Sequence, residues 1–153
     1  MSLLTALLIA MSSYQSAPGA EFAARASELQ SDVQERRVIA EAYPAQRAPD
    51  VAADDTLFSG LSTFSAQAMR LSRVMERRSG PEDLRCIYRG MAQDALTHRQ
   101  ALINAEIRAD RIQVFNDLEY LLQHATEIGP IADQSEIDPF TGVDPGCPRG
   151  PLR

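Results

Sequence analysis

The chain contains no tryptophan and no lysine, only two cysteines and two histidines, and its aromatic content is 6%. With so few rings and a net charge of −6, a general affinity for nucleic acid or for an anionic membrane surface is disfavoured. The two cysteines, Cys86 and Cys147, supply no CxxC unit, and the residues three before His98 and His124 are Ala95 and Leu121, so the Glu-x-x-His unit of a di-metal bundle is missing. No GxSxG elbow and no glycine-rich phosphate loop occurs, and "DQSEIDPFTGVD" lacks the alternating acids and terminal glutamate of a calcium loop. These absences leave no catalytic residue, no metal ligand and no cofactor to name, and the expectation is a non-enzymatic protein. The lack of lysine, beside abundant alanine, reflects the coding bias of a GC-rich genome and carries little functional weight.

What is present reads as an ordinary globular chain. Its 153 residues are 44% hydrophobic and 24% charged, enough to bury about 68 to 70% of the unfolded surface in one core. The longest apolar stretch, Leu3 to Met11, is interrupted by Thr5 and is far short of the roughly 20 residues of a membrane span. A small, polar segment ending in Ala17, Gly19 and Ala20 follows it, which is the outline of a secretory signal with cleavage after Gly19. No arginine precedes Leu3, and Pro18 spoils two other cleavage positions. Packing of the same stretch in the core is the competing interpretation. The chain therefore divides into a signal-like segment 1–20, a helical domain 21–130 and an irregular tail 131–153.

Periodicity points to helices throughout the middle of the chain. Phe22, Ala26, Leu29, Val33 and Ala40 fall near one side of a helix over Glu21 to Ala42, which Tyr43-Pro44 ends. "PAQRAPDVAADD" reads as a loop, and Asp54 or Asp55 offers an N-cap to the next helix. From Thr56 to Arg78 the residues Leu57, Leu61, Phe64, Ala68, Leu71 and Met75 recur at spacings of four and three, a seam held against a neighbour. Gly80 and Pro81 mark a helix-to-helix turn. From Glu82 to Ile128 there is no proline, and an unbroken helix there would run about 70 Å. A break is expected between His98 and Asp110, with Asn104 or Asp110 as the new cap; inward positions are Leu84, Tyr88, Met91, Ala95, Leu102, Ala109, Ile112, Phe115, Leu118, Leu122 and Ala125. The fold class is all-α: a small antiparallel bundle or hairpin of three or four helices with a proline- and glycine-rich C-terminal tail.

Two features carry functional expectations. Arg70, Arg73 and Arg77 share a helix face, Arg78 adjoins them, and Arg85 and Arg89 open the following helix, so the cluster can hold an anion or an acidic partner. The bland interpretation pairs it with Glu76, Glu82 and Asp83. Cys86 between Arg85 and Arg89 would be acidified if exposed, but a chain with two cysteines and a signal-like start is expected to join Cys86 to Cys147. The leading functional expectation is an exported structural or protein-interaction protein of the bacterial cell envelope, periplasmic or secreted, with an unidentified protein partner. The alternatives are a cytoplasmic helical regulator that binds an anion through the arginines, and an enzyme that uses Cys86.

Overall fold

The computed structural model describes residues 17–48, 52, 54–78, 82–134 and 147. Among them lie four α-helices, α1 (Pro18–Ala42), α2 (Thr56–Arg77), α3 (Glu82–Asn104) and α4 (Arg108–Ile128), and a 3-10 turn, Gly129–Asp133. The all-α bundle is therefore as the periodicity predicts. α2 packs chiefly on α3 and α1 chiefly on α4, while α1 against α2 and α3 against α4 close the ring. Neighbours run antiparallel: Phe22, near the start of α1, stacks on Phe64 in the middle of α2, and Arg36, near the end of α1, reaches Asp55 at the start of α2. No described helix is long and apolar enough to cross a membrane. The signal-like stretch Leu3 to Met11, the Gly80-Pro81 turn and the tail other than 131–134 and Cys147 lie outside the described residues.

α1 begins at Pro18, where a proline without an N–H costs no helical hydrogen bond. Its Ala17 cap provides no side-chain acceptor. The acceptor comes from the far end of the chain instead: the Gly19 and Ala20 amides donate to the two carboxylate oxygens of Asp133 at 2.8 and 2.7 Å. A negative group on free N–H donors at a helix start is favourable both as a cap and against the helix dipole. This approach requires glycine, because a Cβ at Gly19 would collide with the carbonyl oxygen of Gly129. Phe22, Ala26, Leu29, Val33 and Ala40 are all buried, as their spacing predicts.

Asp55 caps α2 by accepting from the Leu57 amide at 2.8 Å, and its second oxygen accepts from Arg36 at 2.7 Å. Burial pushes the Asp55 carboxyl up, but the Arg36 and Leu57 hydrogen bonds outweigh it and hold the group below its usual range. All six seam residues from Leu57 to Met75 are buried. Ser65, also buried, donates to the Ala92 carbonyl at 2.8 Å and so ties α2 to α3.

The expected break falls at Ala105 to Ile107. Neither Asn104 nor Asp110 caps α4; its N-cap is Ile107, with no side-chain hydrogen bond. Backbone pairing holds the connection in place. Ala48 N–H donates to Glu106 O at 2.9 Å and Arg108 N–H to Gln46 O at 2.8 Å, so part of the stretch expected to be a plain loop is pinned to the α3–α4 connection. Because α4 starts a new register, Ala109 is exposed and Ile112 only half-buried, while Arg111 takes an inward position at 6% exposure. Its Nη2 donates to the Ala105 carbonyl at 3.0 Å.

At the core, Phe22 meets Phe64 face to face at 4.8 Å and Tyr88 edge-on at 5.9 Å. The Tyr88 hydroxyl donates to the Ile128 carbonyl at 2.8 Å. Burial, with the Asp133 carboxylate nearby, pushes this phenol up to about 12, although a backbone hydrogen bond at Ala132 opposes the shift. Below about pH 10 the phenol is neutral in both folded and unfolded chains, and its stabilising effect is complete. Above that the unfolded chain releases the proton first, so stability should fall by up to about 3 kcal/mol as pH approaches 12. Urea midpoints measured from about pH 9 to about pH 11.5 should decline in the wild type and much less in Tyr88→Phe; parallel curves would show that Tyr88 ionises freely in the folded state.

Candidate functional site

Cys86 lies in the second turn of α3, half-buried, and is joined to Cys147 by a disulfide with Cα atoms 5.2 Å apart. That separation is within the roughly 7 Å a disulfide requires. The bond removes the thiol that a Cys86-based enzyme would need, and a stable disulfide fits an oxidising compartment better than a reducing cytoplasm.

The arginine cluster divides in three dimensions. Arg70, Arg73 and Arg77 are exposed on α2, away from the seam. Arg73, Arg85 and Arg89 come together around a hollow of about 240 Å³ that Glu76 and Cys147 also line. Arg70 and Arg77 stand outside that hollow. Arg78 does not line it; it donates to the Ala132 carbonyl at 3.3 Å and braces the 3-10 turn. Among the described residues, Arg70, Arg73, Arg77 and Arg89 have no salt-bridge partner, whereas Arg36 and Arg37 each bind two carboxylates. The bland pairing with Glu76 and Asp83 is therefore not made by these four side chains. What remains is a small cationic surface beside the disulfide.

A second hollow, about 500 Å³, separates α3 from α4 and was not legible as a site in the sequence. Both histidines line it, His98 from α3 and His124 from α4, with Asp94, Asp117 and an apolar floor that includes Met91 and Leu121. Burial pushes the Asp94 carboxyl up against the opposing pull of His98. His124 Nδ1 lies 2.9 Å from the Tyr120 carbonyl, an acceptor, so that nitrogen carries the proton; the His124 and Tyr120 rings are 4.1 Å apart. The signal in the sequence was the i, i+4 pair Asp94 and His98, matched on α4 by Asp117 and His124 seven apart. Among the described residues no group of three or more histidine, cysteine, aspartate or glutamate side chains is placed to hold a metal ion. No protein-family model, no curated protein and no solved structure is significantly similar to the chain.

Proposed function

We propose that the protein is an exported, disulfide-tied helical bundle with a structural or protein-interaction role, non-enzymatic and working in the bacterial cell envelope. The Cys86–Cys147 bond is the observation that supports this reading. A two-cysteine chain gains from pairing only where thiols are oxidised, and the signal-like start provides a route there. If the cut falls after Gly19, the Ala20 nitrogen becomes an ammonium, and that nitrogen is 2.7 Å from Asp133 Oδ2. Processing would remove the Gly19 hydrogen bond to Asp133 and replace the Ala20 one by an ion pair, a charge-assisted and stronger interaction. Arg73 and Arg89, beside Cys147, supply a surface for an acidic segment of a partner.

Intact-mass measurement of the protein purified from its native cells, with and without alkylation under denaturing conditions, tests the reading. A chain that begins at or near Ala20 and takes up no alkylating reagent before reduction is expected. Recovery of Met1 together with two alkylated cysteines would overturn it.

A further inference from the structure

At the end of the bundle opposite the disulfide, a cleft of about 1010 Å³ opens where α3 stops, α4 starts and the Gln46–Ala48 segment crosses them. We propose that this cleft binds a small organic acid, a carboxylate or phosphate group carried on an apolar body, with Arg99 as the anchor for the oxyanion.

Charge is the first reason. Among the described residues, three arginines, Arg47, Arg99 and Arg111, and one carboxylate, Glu106, line the cleft, in a chain whose net charge is −6. A concave surface of sign opposite to the whole molecule concentrates anions locally. Arg99 is the member still available to a ligand. Its guanidinium lies over the Phe58 ring, 5.7 Å from the centroid, no described carboxylate neutralises it, and its Nε is buried without a hydrogen-bond partner. A half-buried guanidinium held over an aromatic ring, with no described carboxylate on it, is a pre-set receptor for an oxyanion.

Rigidity is the second reason. Arg111 is buried and bonded to the Ala105 carbonyl, and the two backbone hydrogen bonds at Ala48 and Arg108 lock the opposite wall. A preformed site loses little ordering entropy when it binds. The uncapped start of α4 adds partial positive charge to the same region.

The apolar body follows from the remaining walls. Phe58 forms the floor, and Ile103 and Ile107 are each 48% exposed at the cleft, where a hydrated inorganic anion would leave them in water. A ligand with a hydrocarbon or aromatic portion covers them and gains about 25 cal/mol for each Å² removed from solvent.

Titration of the full, oxidised, ¹⁵N-labelled protein with 2-naphthoate, inorganic phosphate and 2-naphthylmethanol tests this inference. Naphthoate should bind saturably, with amide shifts centred on Ile103, Ala105 and Ile107. The alcohol and phosphate should each bind at least about tenfold more weakly, since each lacks one half of the match. Arg99→Gln should weaken naphthoate by about tenfold or more. Arg47→Gln, at an exposed position, should weaken it by a smaller factor and serves as the test if Arg99→Gln does not fold. Naphthoate shifts elsewhere, binding of the alcohol or of phosphate as tight as that of naphthoate, or unchanged affinity in a folded variant would overturn the proposal. None of these outcomes depends on whether the protein is exported.

Discussion

Cys147→Ser should lower the stability of the folded protein by about 4 kcal/mol, the loop-closure entropy that a cross-link over 61 residues removes from the unfolded chain. For a chain of this length that corresponds to a fall in melting temperature of about 10 °C. The helical core should persist, because it contains neither cysteine and a domain of this size has about 5 to 15 kcal/mol of total stability. Cys86→Ser should match Cys147→Ser, and the double variant should be no worse than either, since all three remove one bond. Reduction of the wild type should bring its melting curve to that of the variants while leaving theirs unchanged. Thermal melts followed by far-ultraviolet circular dichroism read all of these. A melting temperature that ignores both reduction and substitution would mean that the disulfide does not constrain the unfolded chain, and the compartment argument would lose its energetic support.

The helices were legible because their inward faces are simple. In α2 every seam residue from Leu57 to Met75 is buried, and in α1 the five residues from Phe22 to Ala40 are buried as well. The spacing there arises from side chains that differ sharply in their preference for water. Around the α3–α4 break the pattern weakens. Alanine at 105 and 109 can face either way at small cost; the first is buried and the second exposed. Arg111 is not among the inward positions expected from the spacing, yet it lies inward with its guanidinium on the Ala105 carbonyl. Local rules also missed the α1 cap, since the acceptor for Gly19 and Ala20 is Asp133, more than a hundred residues away.

The candidate sites were less legible for a related reason. The disulfide could be inferred by counting, because two cysteines allow one pairing. The arginine cluster was read as a single patch from helical spacing within α2, but only the packing of α3 decides that Arg85 and Arg89 join Arg73 and that Arg78 crosses to the 3-10 turn. The histidine-lined hollow and the arginine-lined cleft each draw side chains from two or more helices. Periodicity identifies a face on one helix; it does not pair faces, and both hollows depend on that pairing.

Phe64→Ala should destabilise the bundle by about 3 to 5 kcal/mol, the usual cost of lost burial plus a residual cavity. Phe64 is 0% exposed and stacks on Phe22, which in turn meets the edge of Tyr88, so the deletion removes one end of a ring chain that spans α1, α2 and α3. Ring contacts of this kind add about 0.5 to 1.5 kcal/mol beyond the area they bury. Phe64→Leu keeps most of the volume and should cost under about 1.5 kcal/mol if the ring stacking matters little, and more if it matters much. Leu96→Ala serves as the control: Leu96 lies on α3 at 47% exposure, so its truncation should change stability by no more than about 0.5 kcal/mol. Because the Tyr88 hydroxyl holds the Ile128 carbonyl at the end of α4, loosening the ring chain should also release Tyr88. The alkaline decline in stability should then begin at the same pH but become shallower in Phe64→Ala, as the folded phenol gains access to water. An unchanged melting temperature in Phe64→Ala would place the seam in solvent and overturn the packing of α2 against α1 and α3.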